Sequence, residues 1–294
     1  MKTYNIALVT NKLYLQHACV TIISLLSNNK DLKIKFYIIS DDLDDSDLEL
    51  IKTCTKEYRC SIVLNIISKD TFCNVSTIGR HSKIVNYRFL ISRLINEDKI
   101  LYCDIDIVVN GSIKNFYDQD IENYYLAAVE DWGLFDRHDL LNMDKDTKYF
   151  NSGVMLLNLK NIRKDNIFEI CIKKLDDLTD KYIYPDQDII NSVINGRWKQ
   201  SQLKYNAINS YVRKSFLKNN YFNKIDILEA YNNPVIIHYT GKRKPWHYKS
   251  RHRFRHLYWK YLDMTPFKTY IEPDRSFLNI IKKNITIFFY FFKL

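Results

Sequence analysis

Four apolar runs near the start of the chain limit the fold more than any other feature: "YNIALV" (4–9), "KIKFYIIS" (33–40), "SIVLNII" (61–67) and "KILYCDIDIVV" (99–109). Runs this short and this apolar are expected as strands buried on both faces, because a strand with one wet face alternates. The segments between them are long enough for crossover helices. One is expected over about Leu15–Leu26, with its apolar residues on one stripe. A second follows the acidic run Asp41–Asp47 and continues through about Tyr58, and a third lies near Ile84–Ile95 after a loop. Strands alternating with helices predict an α/β domain with a mostly parallel sheet covered on both faces. Ligands of such sheets bind beyond the carboxyl ends of the strands.

The second half is less regular. "YYLAAVEDW" (124–132) and "FNSGVMLLNL" (150–159) read as strands, Asp165–Leu178 as a helix, and "PVIIHYTG" (234–241) as a short buried strand entering a glycine loop. "PDQDIINSVING" (185–196) has proline at a helix start and glycine as its stop. With only 6 Gly and 5 Pro in 294 residues there is no room for a flexible linker, so one continuous domain is expected over 1–262, with an appendage at 263–294. The 46% hydrophobic and 27% charged residues fit a globular protein.

Asp-x-Asp spacing occurs at six places, 42/44, 45/47, 104/106, 118/120, 144/146 and 186/188, so spacing alone decides nothing. The pair Asp104/Asp106 differs in its surroundings, an apolar strand run in which Ile105 is expected to face the core. On a strand, both carboxylates then project from one face, and of two like charges held that close one would be protonated unless a cation sits between them. Oxygen ligands suit Mn²⁺ or Mg²⁺, which share their remaining positions with phosphates. Two carboxylates at the exposed end of a strand, capping a turn, are the other reading of the same residues.

His238 ends the run "VII" and opens a loop holding Gly241, Lys242, Arg243 and Lys244. A histidine at a strand end is often structural. This one precedes a glycine that permits close backbone approach and cations that suit a diphosphate. Two carboxylates, an imidazole and a phosphate-binding loop fit a metal–diphosphate complex, and the imidazole tilts the metal from Mg²⁺ toward Mn²⁺.

The net charge is +10, and the stretch 242–255, "KRKPWHYKSRHRFR", holds basic residues and no acid. Such a cluster suits nucleic acid, phosphorylated substrates or anionic lipid alike. The six cysteines show no zinc or CxxC spacing and are expected as buried free thiols of a cytoplasmic protein. The apolar run 285–292 is too short to span a bilayer, which takes about 20 residues. With its flanking lysines it reads as an interfacial membrane anchor, the other reading being a final element packed on the domain.

Four stretches carry a family resemblance: "YRFLISRLINEDKILYCDIDIVV", "YFNSGVMLLNLKNIRK", "PDQDIIN" and "HYTGKRKPWH". In this order the chain resembles glycosyltransferase family 8, and most closely its bacterial lipooligosaccharide α-galactosyl- and α-glucosyltransferases. The resemblance implies a GT-A fold and retaining transfer of a hexose, galactose favoured, from a UDP-sugar bound through Mn²⁺. The acceptor would be a lipid-linked saccharide at the inner face of the cytoplasmic membrane. By position, Asp104, Asp106 and His238 would hold the metal, with Ile105 between them in the donor site. Gly241 and Lys244 would contact the diphosphate, Lys244 stabilising the departing UDP, and Arg88 would bridge diphosphate and sugar. Asn151, Asp186, Gln187 and Asp188 would form the sugar pocket, and Asp131 and His81 are candidates for sugar or acceptor contact. Asn11 stands where the family usually has an aspartate facing uracil, and Tyr14 where a ring would stack on the base. Gln187 occupies the place of a nucleophile, and Asp188 is the nearest carboxylate, which leaves double displacement and front-face departure of UDP both open, the second favoured. Rival readings are a UDP-glucose donor, a basic nucleic-acid-binding module, and an inactive nucleotide-sugar binder.

Overall fold

The computed structural model describes residues 2–72, 83–134, 137–175 and 182–281. The apolar runs become β1 (Thr3–Val9), β2 (Lys33–Ser40), β3 (Cys60–Ile66) and β4 (Lys99–Cys103). With β6 (Leu126–Glu130), β7 (Phe150–Asn158) and β8 (Trp198–Gln200) they form one sheet in the order β3-β2-β1-β4-β7-β6-β8. β7 alone among these strands runs against its neighbours, pairing antiparallel with β4 and β6, while the other pairs are parallel. The mostly parallel α/β sheet expected from the apolar runs is therefore present. The run 99–109 does not stay in it. The chain bends after Cys103, and β5 (Ile107–Val109) pairs antiparallel with β9 (Ile236–His238) in a separate two-stranded sheet.

Helix α1 (Leu15–Ser27) explains why the chain can leave the main sheet there. The expected single apolar stripe is too narrow a description: α1 is buried on nearly every side, between the sheet and the C-terminal segment. A buried polar side chain must find a partner, and α1 carries a row of them facing the bend. Thr21 Oγ1 donates to the carbonyls of Ile105 (3.1 Å) and Ile107 (3.0 Å). Ser24 Oγ accepts from Val109 N–H at 3.0 Å, Asn28 Nδ2 donates to Val109 O at 3.0 Å, and Asn29 Oδ1 accepts from Ile113 N–H at 2.9 Å. Residues 105–113 thus rest on side chains of α1 and of the two asparagines that follow it, while 107–109 pair with β9 rather than with the main sheet.

On the other side of α1, Trp246, Phe254, Tyr258 and Tyr261 pack with Val20 and Ile23. His17 stacks on Trp246 (centroids 3.7 Å apart) and shares a hydrogen bond with Tyr258 Oη at 2.6 Å. The packed chain runs past the expected boundary at 262. Thr265 is buried, Glu272 accepts from Arg255 at 2.9 Å, and Asp274 accepts from Lys249 N–H at 3.1 Å. These aromatic and acidic partners make residues 263–274 part of the domain, and the apolar run 285–292 lies outside the described residues. The third crossover, expected as a helix near Ile84–Ile95, is a 3₁₀ turn (Lys83–Leu90) followed by a short α turn (Ile91–Leu94). The described cysteines, Cys19, Cys54, Cys60, Cys103 and Cys171, are all free thiols.

Candidate active site

The bend after β4 gives the two aspartates a geometry that a strand would not. Asp104 and Asp106 flank Ile105 in the turn between β4 and β5, and Ile105 is partly exposed rather than in the core. The expectation of one strand face is corrected: the carboxylates converge because the backbone turns. Asp104 N–H donates to Gly153 O at 2.7 Å, and Tyr239 N–H donates to Asp106 O at 2.9 Å, fixing both ends of the bend.

β9 delivers His238 beside them, in register with Ile107. Its Nε2 lies 3.3 Å from Asp106 Oδ1 and 3.9 Å from Asp104 Oδ2, and one atom from each of the three residues lies within 4.8 Å of the others. The close approach requires Gly153. A Cβ there would stand 2.3 Å from His238 Cε1 and 2.7 Å from Asp104 Oδ2. Two hard oxygens and one imidazole nitrogen are a donor set for Mn²⁺ or Mg²⁺, so the residues present fit a divalent metal.

Cationic side chains surround the trio. Arg88, 3% exposed, donates through Nη2 to Asp104 Oδ1 at 2.9 Å, and its Nη1 lies 2.9 Å from Asp186 Oδ2. It stacks over Tyr102, whose hydroxyl donates to Asp104 Oδ1 at 2.6 Å. Lys244 Nζ pairs with Asp106 Oδ2 and donates to Tyr239 O at 2.8 Å. Burial pushes the Asp106 carboxyl up, but Lys244 and His238 more than offset that and hold it well below the usual carboxylate range. Gly241 takes a left-handed φ of +84°, which turns the loop carrying Lys244 back toward the acids.

The sugar-pocket candidates form one amide network beside the trio. Gln187 Oε1 accepts from Ser152 N–H (3.0 Å) and Asn151 Nδ2 (3.1 Å), and its Nε2 donates to Asp131 Oδ2 at 3.1 Å. Asn151 Nδ2 also donates to Asp131 Oδ2 at 3.0 Å, and Ser152 Oγ donates to Asp186 Oδ2 at 3.2 Å. Burial raises the Asp131 carboxyl above its ordinary range, against the opposing pull of the Asn151 and Gln187 amides.

Asp188 does not join them, which corrects its placement among the catalytic candidates. It is fully buried, pairs with Arg137, accepts from Tyr149 Oη at 2.6 Å and takes Tyr184 N–H at 2.9 Å. On a helix, residues two apart point in different directions, so Asp186 meets Arg88 at the site while Asp188 points into the core. Asn11 lies just after β1, at the expected end of the sheet. Its Oδ1 caps the turn Lys12–Tyr14 by accepting Tyr14 N–H at 3.1 Å, and the Tyr14 ring is half exposed. His81 lies outside the described residues. Gly153, Ser152 and Asn206 were not singled out from sequence, although a glycine inside an apolar strand run is the usual sign of close backbone approach.

Part of the basic stretch 242–255 is committed to the fold, while Lys242, Arg243, Lys249 and Arg251 are exposed. Besides Lys244, Arg253 donates to Tyr231 O at 2.7 Å and lies 3.8 Å over that ring, and Arg255 pairs with Glu272. A nucleic-acid groove would hold such side chains free for phosphates.

Sheet, trio and basic glycine loop together define a sugar-transferring enzyme of the GT-A type. The sequence model of glycosyl transferase family 8 matches residues 5–250, and the chain belongs to that family. It is 32% identical over 273 residues to a lipopolysaccharide 1,2-glucosyltransferase of Escherichia coli, covering 87% of this chain and 78% of the relative. It is 27% identical over 266 residues to general stress protein A of Bacillus subtilis, covering 88% and 93%. In fold it matches the crystal structure of the galactosyltransferase LgtC in complex with donor and acceptor sugar analogues. That match has a TM-score of 0.80 and 22% identity, with 89% and 96% of the two chains covered.

Proposed function

We propose that this enzyme moves a hexose, galactose in the first reading, from a UDP-sugar to a lipid-linked saccharide with retention of configuration, and that it needs Mn²⁺. The single observation carrying the proposal is the convergence of Asp104, Asp106 and His238 on one point. These three would hold the metal, whose chemistry is to neutralise the diphosphate of the bound donor.

The chain's own groups account for the rest. Lys244, on its glycine turn, would follow the growing charge of the leaving UDP. Arg88, fixed between Asp104 and Asp186, would present its guanidinium where diphosphate and sugar meet. Asn151, Asp186 and Gln187 offer hydrogen-bonding groups to the sugar hydroxyls. Asp131, raised by burial, suits a hydrogen bond to an acceptor hydroxyl. Asn11 commits one lone pair of its amide oxygen to Tyr14 N–H, which leaves the second for uracil N3–H and the NH₂ for a uracil carbonyl.

The burial of Asp188 supports front-face departure. Double displacement needs a free carboxylate on the far face of the sugar. Asp188 is turned away, and Gln187 offers only an amide already bonded to Ser152 and Asp131. The acceptor's proton would then pass to the departing diphosphate.

Glucose is the second reading for the hexose, favoured by the 32% identity to a protein named as a glucosyltransferase. Calorimetry with UDP, with and without Mn²⁺, on wild type and Asp106→Ala tests the metal–nucleotide site, and NMR of donor hydrolysis names the sugar. Mn²⁺-independent UDP binding, unchanged in the variant, would sink the proposal. Association with an anionic membrane surface is part of it. No helix among the described residues is long and apolar enough to cross a membrane, and Phe277 and Leu278 stand exposed just before the apolar run. Deleting residues 282–294 is expected to abolish co-sedimentation with anionic vesicles while leaving turnover of a water-soluble acceptor intact.

A further inference from the structure

We infer that Asn206 is the positioning residue that sets the tautomer of His238, leaving Nε2 bare toward the carboxylates, and that it ties this choice to the sugar pocket through Asn151. The inference rests on the proposed metal–nucleotide site and adds to it a residue outside the trio.

The orientation of each amide follows from groups whose roles admit no choice. Gly153 N–H can only donate, and it meets Asn151 at 3.1 Å, so the atom there is Oδ1. The opposite end of Asn151 faces Asp131 and Gln187 Oε1, both acceptors, which demands its NH₂ on that side. Asn206 reaches the same Asn151 Oδ1 at 2.9 Å and must do so with Nδ2. Its remaining atom, Oδ1, then lies 3.0 Å from His238 Nδ1 and can only accept. Once a cation lies between the ring and the carboxylates, His238 therefore keeps its one proton on Nδ1 and turns the lone pair of Nε2 to that cation.

Asn206 is well placed to impose this. It is fully buried at the end of the 3₁₀ turn Leu203–Asn206. The next residue, Ala207, bridges to the strand of His238, with Ala207 N–H to Ile236 O at 2.8 Å and His238 N–H to Ala207 O at 3.1 Å. Two backbone bonds thus lock the amide opposite the imidazole. A metal-binding imidazole that hands its other N–H to a fixed acceptor binds more tightly, and losing that acceptor typically costs about 10–100-fold in metal affinity.

Long-range ¹H–¹⁵N NMR of the wild type at pH 8, loaded with UDP and diamagnetic Mg²⁺ and with His238 assigned by its absence in His238→Gln, reads the tautomer directly. The expected spectrum is that of a neutral ring protonated at Nδ1, and a proton on Nε2 overturns the inference. Calorimetry with Mn²⁺ and UDP then compares wild type with Asn206→Leu and Asn206→Asp, each checked for folding by circular dichroism. Asn206→Leu should bind about 10–100-fold more weakly. Asn206→Asp keeps an acceptor for Nδ1–H but loses the donor to Asn151, and should recover most of that loss. Unchanged binding in Asn206→Leu, or equal weakness in both folded variants, overturns the role. A wild type that binds no metal–UDP at all would instead sink the metal–nucleotide reading, whereas binding with a proton on Nε2 overturns the tautomer inference alone.

Discussion

Asp104/Asp106 and Asp186/Asp188 share one spacing and come to opposite ends. The first pair sits in a bend between two sheets, and its oxygens converge on an imidazole and a lysine. The second sits in the first turn of the helix Pro185–Ile194, where two steps of rotation send the side chains apart. Asp186 joins the site through Arg88, whereas Asp188 is sealed by Arg137, Tyr149 and the Tyr184 amide. An acid becomes a ligand when the backbone aims it at other electron donors with room for a cation, and a strut when the fold supplies its counter-charge.

The contrast can be broken by exchanging the two outcomes. Asp106→Ala is expected to abolish metal-dependent UDP binding in calorimetry while shifting the melting temperature less than Asp188→Ala, because Lys244 is partly exposed and keeps its bond to Tyr239 O. Asp188→Ala should do the reverse. It removes the carboxylate that faces the buried Arg137 guanidinium, and breaking a buried ion pair from one side costs roughly 3–5 kcal/mol. The melting temperature should fall steeply, and the molecules that remain folded should still bind Mn²⁺–UDP. If Asp188→Ala melts like wild type and loses donor binding, the distinction is wrong.

Gly153→Ala sharpens the same point, since it alters no charge. Its methyl would push His238 and Asp104 off their convergence, and misplacement on the order of 1 Å costs about 100-fold in turnover. Steady-state kinetics should show that loss with the fold intact by circular dichroism. His17 supplies the smallest effect, as a buried titratable group with no counter-charge in contact. Burial is the main cause that lowers its pKa to about 3, with Asp106 opposing and His247 and Lys244 adding to the shift. Between pH 6.5 and about 3 the unfolded chain binds a proton at this residue that the folded chain refuses. Stability contributed by neutral His17 is therefore complete above pH 6.5 and is lost as pH falls, by about 1.4 kcal/mol per pH unit at most. His17→Phe should flatten the melting temperature between pH 6.5 and 5. An unchanged slope would show that the acid sensitivity lies elsewhere.

How much was legible follows from what each feature leaves in the local sequence. The parallel core was plain, because strands buried on both faces must be apolar throughout. The trio was legible because Asp104, Asp106 and His238 interrupt apolar runs, and each interruption asks for a partner. The bend was not: "YCDIDIVV" has the composition of one strand, and what holds it bent are Thr21 and Ser24 of α1 and Asn28 and Asn29 just after it, some 80 residues away. The mate of Asp188 was equally hidden, since Arg137 stands 51 residues before it with no pattern connecting them. The packing of 263–274 was hidden in the same way, since Glu272 and Asp274 meet Arg255 and the backbone of 248–249 with no local pattern connecting them.

The β5–β9 ladder joins residue 107 to residue 238, so the donor site is among the last things this polypeptide can complete during synthesis. A growing chain that has emerged only as far as β8 owns both acids and neither the imidazole nor the lysine loop. If the proposed nucleotide and metal bind here, they would stabilise only molecules in which β9 and its lysine loop are already in place.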